Sequence, residues 1–373
     1  MSRTLPPQAS FLKTLRREWV LLASYGTTAL FLIKGHDWLD HNPGLLSGSG
    51  IFLWLFVVML LASFAVVRQA DHLAEQLREP FGTLILTLAV TSIEVMMISV
   101  LMLDGNNPAL ARDTMFAVVM IVLGGLLGTA LLSGGLRFSE QQFNLKGANS
   151  FLGLILPLSV LSLVMPNFTE NGGLGMYSPF HAASMILLSL IIYSIFLAVQ
   201  TSRHREFFNE ADWEPKQTEE QYHGGSVALN SLLLILHLIP VILLSKQFAH
   251  LLNYGIKGGG LPEELGGMIV AVLILAPEGL SAIQAAARNQ VQRSVNVLLG
   301  SVLATIGLTV PAALTISLIS GKPVQLGLSN SSMTLLAMTL ASCLITFGQG
   351  QTNILQGFVH LLLFAAYIVL MFH

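Results

Sequence analysis

Apolar residues along this chain come in long runs separated by short polar breaks. Eleven runs stand out, at approximately 19–34, 48–67, 81–103, 114–136, 151–168, 181–201, 226–246, 265–283, 294–319, 332–348 and 354–372. A helix needs roughly 20 apolar residues to cross the hydrocarbon of a bilayer, so the pattern predicts about eleven transmembrane helices. The first run is the shortest and follows Lys13, Arg16 and Arg17, as the core of a signal peptide would. No convincing small-residue cleavage site precedes Lys34, and ten more runs follow, so it is read as an uncleaved first helix.

The polar breaks set the organisation. The longest, Ser202–Gly225, carries six acids and two histidines and falls between the sixth and seventh runs. With the first run set aside, five runs precede this break and five follow. An odd number of spans makes the two halves enter the membrane from opposite sides, the inverted repeat of secondary transporters. The predicted parts are an N-terminus with the first helix (1–45), a first five-helix repeat (46–201), a polar loop (202–225) and a second repeat (226–373). The loop has the composition of a solvated linker. Arg68–Glu79 reads as a short surface helix in which Glu75 and Arg78 are spaced to pair. A cytoplasmic N-terminus with alternating loops puts thirteen of the eighteen Lys and Arg on the cytoplasmic side. The expected location is therefore the cell's inner membrane, with the C-terminus outside.

Composition closes off other classes. Of 373 residues, 53% are hydrophobic and 10% charged, with a mean hydropathy of +0.71. A soluble domain usually carries about 25% charge, so a soluble domain, a disordered chain and a coiled coil are excluded. A net charge of −2 offers no basic stripe for nucleic acid. The single cysteine, Cys343, excludes a disulfide framework and a cysteine metal cluster. No zinc-protease motif, nucleophilic cysteine or Ser–His pairing points to an enzyme or a bound cofactor. Assembly with further copies of the chain stays open.

Two charges break the apolar runs. Glu94 is the fourteenth of 23 residues in 81–103, and Glu278 is the fourteenth of 19 in 265–283. Each lies in the second span of its half, so opposed halves bring both to one site near the midplane. An ionised carboxylate there costs about 2.5–3.5 kcal/mol on insertion scales. One reading is a pair of protonated, hydrogen-bonded structural glutamates. Another is a cation channel, although one acid per half is a poor filter. The reading that uses the matched positions is a site where cations and protons compete. Beside Glu278, Pro277 removes a helical donor and frees a carbonyl; beside Glu94, Thr91 and Ser92 offer hydroxyls. The spans that follow are rich in small residues, which favours close helix packing. Within them Thr129 and Ser301 are the candidates to face the site. His237 and His360 are read as packing histidines, because no acid lies at helical spacing from either.

Glu79-Pro80-Phe81-Gly82-Thr83 through Glu94 resembles the first α-repeat of the calcium/cation–proton exchanger family, most of all its bacterial ChaA type. Leu275-Ala276-Pro277-Glu278-Gly279, with Asn289–Arg293 and Gly300–Thr305, is similar to the second. The resemblance covers nearly the whole chain and implies a membrane protein with one helix outside two inverted repeats. It implies exchange of Ca²⁺, Na⁺ or K⁺ for protons, with Glu94 and Glu278 as the essential acids that meet the metal ion. Exchangers specialised for calcium carry Gly-Asn where this chain has Val90-Thr91 and Ile274-Leu275. A site poorer in oxygen suits calcium's six to eight ligands less well, so monovalent cargo is implied too.

Overall fold

Inside a bilayer a backbone has no water to bond, and helices satisfy every amide internally. The long apolar runs fold accordingly. The computed structural model describes residues 18–40, 45–77, 81–104, 107–169, 173–203, 205–208 and 226–372. Among these residues the chain forms eleven long runs of helix: α1 (Trp19–Asp40), α2 (Leu45–Leu77), α3 (Phe81–Asp104), α4 (Leu110–Phe138), α5 (Leu145–Phe168), α6 (Pro179–Arg203), α7 (Val227–Gly259), α8 (Glu264–Ala287), α9 (Val291–Ser320), α10 (Asn330–Thr346) and α11 (Ile354–Met371), besides a short 3-10 turn at Arg205–Phe207. Eight are long and apolar enough to cross a membrane, and shorter apolar stretches lie in α1, α3 and α10. Large apolar side chains such as Ile33, Phe180, Leu362 and Val369 stand exposed on the outside, as hydrocarbon surroundings allow.

Several helices carry a wider π turn, at Ile121–Leu126 in α4, Val160–Val164 in α5 and Thr305–Thr309 in α9. Such turns recur at functional sites. The residues expected as a surface helix at Arg68–Glu79 instead continue α2 to Leu77, because nothing between Val67 and Leu77 breaks the helix. The Glu75–Arg78 pair lies outside the described side chains, as does most of the 202–225 loop.

The interior has two hydrophobic cores. One gathers Phe31 of α1, Met59 of α2 and Phe248 of α7. The other gathers residues of α4, α5, α6, α9, α10 and α11, among them Phe151, Val302 and Leu363. Helices α3 and α8 lie between them and contribute to both. Ile93 and Met97 of α3 face the first core and Ile98 and Met102 the second. Ile274 of α8 faces the first and Ala271 and Ala282 the second.

Two devices tie remote segments together. Strands β1 (Glu140–Gln142) and β2 (Gln351–Asn353) pair antiparallel, with Gln141 opposite Thr352. The Gln141 amide donates to Ala286 O at 2.9 Å, which fixes the end of α8. Elsewhere Glu18, buried at the start of α1, accepts from Arg68 at 2.6 Å and Gln69 at 3.0 Å on α2, and lies 3.0 Å from His237 Nε2 on α7. The acid beside His237 thus comes from 219 residues away, which helical spacing cannot reveal. His360 pairs with Thr346 at 3.0 Å.

The small residues of α4 serve packing. A Cβ on Gly128 would sit 2.9 Å from the backbone oxygen of Gly357 on α11, and one on Gly357 would sit 2.8 Å from Leu132 N. The substitution Gly128→Val is expected to abolish recovery of monodisperse protein from membranes, whereas Gly153→Val, which meets open space, is expected to behave as the unaltered chain in the same gel-filtration assay. Glu18→Ala strips a buried carboxylate from its partners on α2 and α7. We expect it to lower the thermal midpoint in detergent by roughly 5 °C or more; an unchanged midpoint would mean the cluster holds nothing together.

Candidate functional site

On α3 the polar residues Thr87, Thr91 and Glu94 follow spacings of four and three, so they share one face. Glu278 and Ser281 share a face of α8 in the same way. Both faces open onto one cavity of about 250 Å³ that contains Glu94 and Glu278 together. Ser301 and Ala304 of α9 form its third wall. Glu94 is 4% exposed, and Glu278 is half-buried.

Helix α9 binds the acid of each half. Ser301 Oγ donates to Glu278 Oε2 at 2.9 Å. One turn later, Thr305 Oγ1 lies 2.9 Å from Glu94 Oε2, to which it donates, with Ser301 O as an alternative acceptor at 3.1 Å. A helical turn separates the two hydroxyls, so the two carboxylates are stacked along α9. Each has a single hydroxyl donor, far fewer than an isolated buried charge needs. Among the described residues no group of three or more His, Cys, Asp or Glu forms a metal cage. A cation here would draw on the two carboxylates and on neutral oxygens.

The cavity runs from the glutamates to the face where α2 and α6 end and α9 begins. Asp71, Gln200 and Arg293 line it towards that end. Phe208, from the short turn after α6, packs edge-on against Phe151 and Phe196 with centroids 5.4 and 5.9 Å away. Asn296 of α9 holds this turn by donating to Phe208 O at 2.6 Å, and Gln292 supports Asn296 at 2.8 Å. At the opposite face a separate cavity of about 140 Å³ is lined by Arg112, Asp113, Glu264 and Tyr367, where Asp113 pairs with Arg112 at 2.8 Å.

The residues singled out from sequence fall in different places. Glu94, Glu278, Ser301 and Thr91 share the cavity. Pro277 is buried in α8 beside Glu278 and does not line the cavity wall. Thr129 does not reach the site: its hydroxyl donates to Gly125 O at 2.7 Å in its own helix. The physical reason is that α4 turns its small-residue face to α11, and beside Glu278 it presents Leu126 to α8, against Gly279. Thr305, Asn296, Asp71 and Phe208 were not foreseen. Thr305 carried one legible signal, its place four residues beyond Ser301.

Two halves that each bring one carboxylate to a shared cavity among apolar helices suit the class of ion-coupled membrane transporters. The comparisons agree with that class. The family described as sodium/calcium exchanger protein matches residues 47–202 and 229–373, and the chain belongs to this family. It is 40% identical over 327 residues to the sodium-potassium/proton antiporter ChaA of Escherichia coli (strain K12), covering 86% of this chain and 88% of that protein. It is 28% identical over 258 residues to the Ca²⁺/H⁺ antiporter ChaA of Bacillus subtilis (strain 168), covering 67% and 71%. The solved structure of native YfkE superposes with a TM-score of 0.73 at 18% identity, covering 95% of this chain and 99% of that one, which carries the fold.

The cavity's direction is testable. Cys343 is fully buried, so the chain offers a silent background for thiol labelling. We expect Ser281→Cys to react with a membrane-impermeant maleimide added on the face where α6 ends and to stay unlabelled from the other face. Labelling from the opposite face alone would reverse the assignment.

Proposed function

We propose that this chain exchanges cations for protons across the membrane by alternating access, with cation and protons competing for Glu94 and Glu278. One observation carries the reading: two carboxylates from opposite halves meet in one cavity, each tied to a hydroxyl of α9. Empty, such a pair bears two negative charges, which are costly to hold away from water. Two protons neutralise it, as does one Ca²⁺, or one Na⁺ or K⁺ with one proton. Only neutral states change sides cheaply, so coupling follows from electrostatics without a separate gate. The two acids then titrate as a coupled pair.

The relatives named above support Na⁺, K⁺ and Ca²⁺ as cargo. Only one hydroxyl bonds each acid, Ser301 for Glu278 and Thr305 for Glu94, which in this reading favours monovalent ions alongside calcium. In this reading no resident cofactor or chemical step is involved, and the cavity faces the cytoplasm. The excess of Lys and Arg supports an N-terminus inside, a C-terminus outside and an inner-membrane location with lipid on all sides. The parts are a first helix (1–45), two inverted five-helix repeats (46–201 and 226–373) and the cytoplasmic loop between them.

The test is proton flux in everted vesicles with an acid interior. Adding Na⁺, K⁺ or Ca²⁺ outside is expected to alkalinise the lumen, and Glu94→Gln and Glu278→Gln are each expected to abolish the response. Retained exchange in either variant would remove the mechanism. Cation flow that ignores the proton gradient would identify a channel.

A further inference from the structure

The two acid helices end in matching places. Leu103 is nine residues past Glu94 on α3, and Ala287 is nine residues past Glu278 on α8. The last carbonyls of a helix carry partial negative charge, which a nearby cation stabilises. Neither helix has a basic residue in its own last turn. The cation arrives from the other half instead. Arg137, 43 residues past Glu94, donates to Ala287 O at 3.1 Å. Lys322, 44 residues past Glu278, donates to Leu103 O. Each half thus lends one cation, from nearly the same register, to the same position on the acid helix of the other.

Further bonds secure both ends. The Gln141 amide donates to Ala286 O at 2.9 Å and to Asn289 Oδ1 at 3.0 Å. Gly134 leaves room for it, since a Cβ there would sit 1.8 Å from Gln141 Oε1. Just past α3, the Gln325 N–H donates to Pro108 O at 2.9 Å. Arg137 and Lys322 lie where α4 and α9 end, and both of those helices belong to the second core. Helix α8 is therefore fastened to that core at the face where α6 ends, and α3 at the opposite face.

The cavity follows the fastening. Its α3 wall, Thr87 to Glu94, lies on the side of the acid away from Leu103. Its α8 wall, Glu278 and Ser281, lies on the side of the acid towards Ala287. The opening at this face runs beside the end of α3 that Lys322 does not hold. At the opposite face the start of α8 is closed against α4, where a Cβ on Gly267 would sit 2.6 Å from the backbone of Asp113.

We propose that Arg137 and Lys322 are positioning residues that set two pivots for exchange, one at each face. Arg137 keeps the end of α8 in place while its start moves. Lys322 keeps the end of α3 in place while its start moves. The face where α6 ends then opens along the start of α3, and the opposite face opens along the start of α8. One device, used once in each inverted half, gives two openings on opposite sides of the same acids. The inference rests on the reading of Glu94 and Glu278 as the exchange site.

The experiment bridges cysteine pairs in everted vesicles and follows cation-driven proton movement. Asn107 and Glu263 meet at 2.5 Å beside the start of α8, and Gln141 and Asn289 at 3.0 Å beside its end. The buried Cys343 stays out of the reaction. An oxidised Asn107→Cys/Glu263→Cys pair is expected to stop exchange until it is reduced. An oxidised Gln141→Cys/Asn289→Cys pair, which puts a bond where the tether was, is expected to keep exchange. Singly, Arg137→Gln and Lys322→Gln are expected to lower turnover about fivefold, the worth of one cation at a helix end, with KM for Na⁺ and K⁺ unchanged. Arg137→Lys and Lys322→Arg are expected to restore turnover. Exchange that survives the first bridge, exchange that stops equally under the second, or glutamine variants that raise KM and leave turnover intact would each overturn the pivots. Wild-type vesicles in which no cation moves protons would defeat the exchange reading and the pivots together. Wild-type exchange that continues through the first bridge defeats the pivots alone.

Discussion

A carboxylate at the middle of a bilayer persists only if something answers its charge. Glu94 and Glu278 state that constraint twice, and much of the fold can be read as the answer. Helix α9 supplies a hydroxyl to each, at 2.9 Å in both cases. The cavity lets water or ions approach from one face. What protein groups do not supply is the remaining positive charge, and in the proposed exchange that deficit couples one ion's movement to another's.

The constraint also explains where the acids sit. Both are carried by helices that lie between two hydrophobic cores rather than inside either. Within a well-packed core, close packing transmits strain and resists displacement. A seam between cores is the place where two packed bodies can slide or rock without unpacking. Glu18 binds α1 to α2 and α7 and so makes the first core one body. The β1–β2 pair and the Gly128–Gly357 crossing brace the second.

Much of this was legible in the chain. Lone charges in apolar runs announce themselves, so Glu94 and Glu278 stood out, and the equal halves around Ser202–Gly225 implied their meeting. Ser301 was within reach because it follows Glu278 in a small-residue span. Thr129 was a fair symmetry partner on paper, but symmetry of sequence does not extend to neighbours: α11 takes the small face of α4, whereas α9 keeps its hydroxyls for the acids. Glu18 lies at the edge of an apolar run, where acids are ordinary, and only the tertiary approach of α2 and α7 buries it. The short β pair was invisible because three polar residues at each site carry no strand pattern. Phe208 sits at the end of a polar segment, and its role depends on Phe151 and Phe196 arriving from other helices.

The bracing of the second body has a consequence for how the chain is made. Gln141 waits for Thr352, and Gly128 waits for Gly357. These contacts join the first half to β2 and α11, about 200 residues further along the chain. During synthesis the glycine face of α4 therefore stays uncovered, and β1 unpaired, until β2 and α11 have emerged. A nascent chain stopped before α11 would present that surface to lipid and to quality-control proteases, so the second body is complete only once α11 has docked.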